Sequence, residues 1–337
     1  MTFLSSSRGT QGPQGEDAPA GDPVAAAAAA GPTGSFRDRA VLLPFLLITQ
    51  IWSSTWIVIK DQLGSVPPVW SVSYRFIIAG AVMFLLARIA GARFGIGREG
   101  HALAAVMAVL QFAINYNGVY AAEQYITSGL VAVVFALLIV PNALFSRIFF
   151  GQPITARFVL GSAVALGGVA LLFVQEMRMA EVPVGAVLTG IGLTVAAVLG
   201  ASVSNVMQLS NGVRSRPISV MLGWAMVYGA AIDAVFAWFV AGPPVIETRL
   251  GYWLGLIYLS VIASSLAFFL YYRIIRAIGP ARAAYSSVLI PIIAMGFSTL
   301  FEGYRWAPLA AAGGVLALAG LVIALRSGPP RAPSPAD

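Results

Sequence analysis

The chain reads as an all-α polytopic membrane protein: ten transmembrane helices in two five-helix repeats of inverted topology. Three observations predict this. Of 337 residues, 59% are hydrophobic and 10% charged, against about 25% charged in an ordinary soluble chain, so too few polar groups exist to cover a water-facing surface. Ten apolar segments, each near the ~20 residues a helix needs to cross hydrocarbon, follow one another with short connectors. Landmarks also recur at a fixed offset. Gly129 and Pro141 return as Gly279 and Pro291, shifted by 150; Gly161 and Gly168 return as Gly313 and Gly320, shifted by 152.

Residues 1–36, rich in Gly, Pro, Ser and Ala, hold no core-forming apolar run and are expected to be a disordered cytoplasmic tail. The apolar segments lie near 41–60, 70–89, 102–121, 126–149, 157–174, 184–208, 219–240, 251–273, 281–301 and 307–325. The first repeat is therefore 41–174, the second 184–325, and 326–337 a short cytoplasmic tail. Pro67-Pro68, Gly151-Gln152-Pro153, Gly242-Pro243-Pro244 and Gly279-Pro280 punctuate the connectors. With the N-terminus in the cytoplasm, Lys60, Arg178, Arg249 and Arg305 fall outside, Arg75 falls within a helix, and the other 15 of the 20 basic residues fall inside. That bias puts both termini in the cytoplasm. Five helices per half is odd, so the second half enters the bilayer from the opposite face. Inverted repeats of this kind are a transporter architecture, with the site between the halves.

Composition also excludes. No cysteine is present and His101 is the single histidine, which removes disulfides, thiolate catalysis and Cys- or His-cluster metal sites. No phosphate-binding G-x-x-x-x-G-K-[ST] occurs and the only lysine is Lys60, so ATP is not a direct energy source. The net charge of +7 reflects cytoplasmic connectors, not a nucleic-acid partner. No catalytic residue, metal or cofactor is expected; the partners are a small-molecule substrate and the bilayer. The glycine ladders allow close helix packing, within one chain or in a homodimer.

Polar groups in hydrocarbon are costly and therefore candidates for function. Gln111 and Asn115 share a helix face, with Tyr116 beside them, and can offer donors and acceptors to a zwitterion or an amide. In the second half Asn205 is the leading candidate, with Gln208 at three-residue spacing. Tyr271 and Tyr285 flank the echoed hairpin and can close the same cavity. Trp52 and Trp56 would supply an aromatic wall; Trp70, Trp238, Tyr252 and Trp253, near helix ends, read as membrane-interface residues. Asp233 and Glu123 are the proton-coupling candidates. Depth along their helices lets Arg75 and Asp233 meet, which would make Arg75 structural.

The stretches IWSSTWIVIK and PPVWSVSYRFIIAG, with Arg75-Phe76, then YAAEQYITSGLVAVVFALLIVPNALFSRIFFGQPIT with Pro141, and FEGYRWAPLAAAGGVLALAGLVIAL with Glu302, together resemble the EamA-type branch of the drug/metabolite transporter superfamily. The likeness runs across essentially residues 41–326. Gln152 stands where the first-half counterpart of Glu302 would be acidic, a departure from the pattern. Pro141, Pro291, Arg75 and Glu302 are assigned structural roles, Glu302 capping the last helix or bonding Arg305. The resemblance implies a ten-helix inverted repeat that moves small organic solutes, often outward, by alternating access in a bacterial inner membrane. A membrane-embedded enzyme and a non-transporting scaffold are the alternatives.

Overall fold

The computed structural model describes residues 34–36, 38–62, 64, 66–126, 128–179, 183–301 and 307–325. All but the last three residues of the expected N-terminal tail, together with Glu302, Arg305 and residues 326–337, lie outside the described residues. Among those described there is no strand, and ten helices order the chain. They are α1 (Arg39–Gln62), α2 (Pro68–Ile89), α3 (Gly97–Ala122), α4 (Ser128–Phe150), α5 (Ala156–Met179), α6 (Val184–Met207), α7 (Ile218–Ala241), α8 (Leu250–Ile278), α9 (Tyr285–Phe301, led in by the turn Pro280–Ala283) and α10 (Pro308–Leu325). Nine are long and apolar enough to cross a membrane, and Pro308–Ala324 is a shorter apolar helix. The protein is an all-α polytopic membrane protein. The helices outrun the apolar segments most at the start of α3 and the ends of α5 and α8, where Gly97–His101, 175–179 and 274–278 continue the backbone pattern beyond the hydrophobic stretch.

The pairing of helices shows how the halves relate. Counting five per half, α5 and α10 are equivalent, as are α2 and α7, and α4 and α9; each helix packs on its own equivalent. The cross pairs match too: α3 packs on α6 as α8 packs on α1, and α3 on α7 as α8 on α2. Along α5 and α10, Gly161 meets Ala324, Ala165 meets Gly320, Gly168 meets Ala317, and Leu172 meets Gly313. One number rises as the other falls, so the pair is antiparallel. Equivalent helices packed antiparallel are exchanged only by a two-fold axis perpendicular to both, which lies in the membrane plane. The repeat is inverted, and its glycine ladders meet inside one chain.

Glycine is required in that contact because the backbones nearly touch. A Cβ at Gly168 would sit 2.5 Å from the Gly313 carbonyl oxygen, and one at Gly313 would sit 2.7 Å from the Gly168 carbonyl oxygen. The α2–α7 contact is built alike, with Gly80 on Val227 and Gly223 against the Phe84 ring, and Ser73 Oγ donates to the Ala230 carbonyl at 2.9 Å.

Two irregularities recur with the 150-residue offset. α3 is π-helical over Ala108–Ile114 and α8 over Tyr258–Leu266. A π segment inserts a residue and frees backbone groups, and such segments cluster at functional sites. Pro141 and Pro291 sit inside α4 and α9, where each lacks the N–H that would bond the carbonyl four residues back. In α4 the adjoining turn, Ala136–Leu138, tightens to a 3-10 helix.

Ion pairs hold the two ends of the bundle. Glu99 at the start of α3 pairs with Arg216 before α7 at 3.0 Å, and Arg249 at the start of α8 pairs with Asp61 at the end of α1 at 3.0 Å. Glu99 and Arg249 are repeat equivalents, 150 residues apart with opposite charge. Arg216 also donates to the Ile96 carbonyl at 3.0 Å and to that of Gly212.

Of the residues read as membrane-interface, Trp238 is 56% exposed, whereas Trp70 and Tyr252 are buried. Trp70 Nε1 donates to the Gly242 carbonyl at 3.2 Å, and the Tyr252 hydroxyl bonds Ser71 Oγ at 2.8 Å. Their polar atoms find partners inside the bundle, so the rings need no headgroup layer.

Gly168→Ala should lower the unfolding midpoint in detergent through overpacking, which typically costs about 1–3 kcal/mol. Gly167→Ala, whose added carbon would find its nearest neighbour, Leu316 Cδ2, 3.8 Å away, should leave the midpoint unchanged. Equal midpoints for the two variants would contradict the close α5–α10 contact.

Candidate functional site

Between the halves lies a cavity of about 110 Å³, several times the roughly 10–15 Å³ that one water molecule requires. Trp52, Thr55 and Ile59 of α1 line it, with Arg75 of α2 and Gln111, Asn115, Tyr116 and Val119 of α3. Phe135 and Leu138 of α4, Ala201 and Asn205 of α6, Phe268 and Tyr271 of α8, and Ser286, Ser287 and Ile290 of α9 complete the wall. Among the described residues, α5, α7 and α10 contribute none to the lining. Thr55 and Asn205 occupy equivalent repeat positions, so the cavity straddles the pseudo-two-fold axis.

Local irregularity positions the polar groups. Gln111 comes from the π segment of α3, and Asn115 follows it directly. In α8 the π segment presents the Ala263 carbonyl, which accepts from Trp52 Nε1 at 3.0 Å. That bond orients the Trp52 ring edge-on to Phe268 and Tyr271, with centroids 5.5 and 5.0 Å away. Ser264 of the same segment accepts from Arg75 Nε at 2.8 Å. The Arg75 guanidinium lies over the Tyr116 ring at 4.7 Å, a cation–π contact. On α9, the Ile290 carbonyl beside Pro291 accepts from Ser53 Oγ at 3.3 Å.

What remains unpaired is as informative. Gln111, Asn115 and Asn205 are buried, and their side-chain oxygens Oε1, Oδ1 and Oδ1 have no hydrogen-bond partner among the described residues. Asn205 Nδ2 reaches the Tyr271 hydroxyl at a long 3.5 Å. Arg75 is 1% exposed, and its Nη1 has no hydrogen bond of normal geometry among the described residues. Buried polar groups are normally satisfied, so four residues with unsatisfied atoms around a single cavity make it the candidate binding site.

The structure therefore brings together Trp52, Gln111, Asn115, Tyr116, Asn205 and Tyr271. It separates others. Gln208 lies beyond the end of α6, where Oε1 accepts from Arg276 Nη2 at 3.3 Å; Arg276 also takes the Val213 carbonyl and so fastens the connector. Tyr285 ties α9 to α5 through Ser162 Oγ at 2.9 Å. Trp56 lies in α1, but its side chain is outside what is described. Glu123 is half-buried at the C-terminal end of α3. A second cavity of about 70 Å³, between the α4–α5 connector and Gly279-Pro280, includes Gln152.

The expected Arg75–Asp233 pair is not formed. Asp233 is fully buried but accepts from Asn117 Nδ2 at 2.6 Å, and Arg75 turns to Ser264 and Tyr116. Tyr116 and Asn117 are consecutive on α3 and so point about 100° apart, which sends the two charges to different sides of that helix. Arg75, read from sequence as structural, ties α2 to α8 through Ser264 and also lines the cavity. Ser286, which the sequence places beside Tyr285 at the echoed hairpin, lines it too, as do Phe268 and Ser287; an apolar Phe in an apolar run carries no sequence signal, whereas an arginine inside an apolar helix does.

Comparison with known proteins fits this geometry. The model of the EamA-like transporter family matches residues 40–174 and again 188–326. The uncharacterized inner membrane transporter YedA of Escherichia coli (strain K12) is 28% identical over 265 residues, 75% of this chain and 80% of its own. The uncharacterized transporter YoaV of Bacillus subtilis is 22% identical over 77% of this chain and 88% of its own. Protein PagO of Salmonella typhimurium is 21% identical over 80% and 87%. A solved crystal structure shares the fold with a TM-score of 0.68 at 18% identity, covering 85% of this chain and 96% of that one.

A double-mutant cycle on unfolding should find about 1 kcal/mol or more of coupling between Asn117 and Asp233, because Asn117→Ala strips a buried carboxylate of its donor. The cycle between Arg75 and Asp233 should stay within about 0.5 kcal/mol. Strong coupling in the second cycle with none in the first would reverse the assignment.

Proposed function

The chain belongs to the EamA-like transporter family, matched over residues 40–174 and 188–326, and from that premise we propose that it is a secondary transporter exporting a small organic metabolite. The substrate is an amino acid or similar solute, bound in the cavity between the halves. One observation carries the reading. The cavity straddles the axis relating the inverted repeats, and Asn115 and Asn205, one from each half, line it with side-chain oxygens that have no partner among the described residues. A site on such an axis can be exposed to either face by rocking one half against the other.

The end latches suit that cycle. Glu99–Arg216 and Asp61–Arg249 occupy opposite faces of an inverted repeat, and all four side chains keep some exposure. Exposed ion pairs contribute about 0–1 kcal/mol each, weak enough to break in turn. The basic connectors favour both termini in the cytoplasm of a bacterial inner membrane. Asp233 is the candidate carrier of a coupling proton: a fully buried acid bonded by Asn117, whose helix α3 also forms the cavity wall.

The test is counterflow in proteoliposomes, preloaded in turn with amino acids, sugars, nucleobases and cationic drugs, with radiolabelled tracer outside. Accumulation of one class is expected, with Asn205→Ala lowering it about tenfold. Because cysteine is absent, Asn115→Cys and Asn205→Cys can be labelled cleanly. Reaction from both faces is expected; a site sealed from both would support a scaffold instead. Asp233→Asn should bind substrate yet respond no longer to an imposed pH gradient, and an unchanged response would remove Asp233 from the coupling step.

A further inference from the structure

We propose that Arg75 is the anchor for a carboxylate on the transported solute, which makes the substrate an organic acid with a flat apolar body. The inference rests on the transport reading above and narrows its substrate class. Arg75 is 1% exposed and lines the cavity, and no carboxylate among the described residues lies within ion-pair distance of it. Asp233, the acid expected to neutralise it, is bonded to Asn117.

An uncompensated cation buried in a membrane protein is expensive, yet this one is held in place. Ser264 fixes Nε at 2.8 Å, and Tyr116 takes one face of the guanidinium. Tyr120 adjoins the group, its hydroxyl bonding weakly to the guanidinium, in a geometry that leaves Nη1 without a hydrogen bond of normal length and angle among the described residues. Guanidinium N–H groups form a planar fork matched to a carboxylate, so an incoming acid supplies both the missing charge and the missing acceptor.

The rest of the wall defines the molecule behind that carboxylate. Arg75 is tied to α8 at Ser264, and Asn205 approaches α8 at Tyr271. Seven residues of helix separate those points, about 10 Å at 1.5 Å per residue, with Phe268 between them and Trp52 edge-on to it. A carboxylate at the Arg75 end thus directs an apolar, flat body along Phe268 and Trp52. A hydrogen-bond donor at its far end would meet the unpaired oxygen of Asn205. A bare cation would face the buried guanidinium and be repelled.

The experiment uses purified full-length protein in nanodiscs and proteoliposomes with matched probes: phenylalanine, phenylalaninamide and phenethylamine, then 3-phenylpropionate, its amide and 3-phenylpropylamine. Acids should stabilise the protein thermally and be exchanged in counterflow, while amides and amines do neither at equal concentration. Arg75→Gln should weaken acid binding tenfold or more and leave the amides unchanged; Arg75→Lys, keeping charge without the fork, should fall between. Amides or amines exchanged as well as acids would overturn the anchor while transport stands. A folded Arg75→Gln that still takes acids in preference to amides would make Arg75 structural. If Arg75→Gln does not fold, Ser264→Ala, which frees Nε and keeps the charge, should weaken acids selectively; unchanged acid binding there overturns the proposal. A wild-type protein that binds none of the probes also overturns it, and two-sided labelling at Asn205→Cys then decides separately whether the transport reading survives.

Discussion

Hydrocarbon offers no hydrogen bond to a polar side chain, and that constraint sorts the polar residues of this chain into two groups. One group is consumed by the bundle. Ser73 bonds the Ala230 carbonyl, Asn142 that of Pro280, and Ser265 that of Ala79. Such bonds average about 0.6 kcal/mol in membrane proteins, but each removes a larger penalty for an unpaired buried group. A second group stays incompletely bonded among the described residues: Gln111, Asn115, Asn205 and the Nη1 end of Arg75 on residues lining the cavity, and Gln62 Oε1, Ser202 Oγ and Arg276 Nε away from it. The cavity is where four of these residues meet.

The antiparallel pairing of equivalents determines where that cavity can be. α5 and α10 approach so closely that Gly161, Gly168, Gly313 and Gly320 admit no side chain, and this pair stays clear of the cavity. α2 and α7 form a second such contact. Between these tight pairs the helices carrying irregularities gather: α3 and α8 with their π segments, α4 and α9 with their prolines. Regular backbone holds the frame, and the distorted helices supply part of the cavity wall beside α1, α2 and α6, with the Ala263 and Ile290 carbonyls serving as acceptors for α1 side chains.

Much of this was legible in the sequence. Charge scarcity and segment length predict ten helices, and the offsets of Gly, Pro and small-residue ladders predict the repeat. Gln111 and Asn115 are readable because amides in an apolar helix stand out at four-residue spacing. The π segments were not legible, since Ala108–Ile114 and Tyr258–Leu266 carry the same apolar residues as the α-helix around them. The partner of Arg75 was not legible either. Depth along a helix is set by residue number, but azimuth depends on packing, and Tyr116 and Asn117 divide Arg75 from Asp233 by one residue's rotation. Gln208 shares its spacing with Asn205, yet the helix ends at Met207 and turns it towards Arg276.

Only the few residues between Met179 and Val184 join the two halves covalently, whereas the contacts between them run the length of the bundle on α5–α10, α2–α7 and α4–α9. Fused in one gene, the halves are free to diverge. Arg75 has Ala225 as its counterpart, Glu99 has Arg249, and Gln111 has Val261. A pair of identical five-helix units would carry every charge twice and present the same surface to both sides of the membrane. Fusion lets a symmetric frame hold one arginine on one wall, and so makes the two sides of a two-fold architecture chemically distinct.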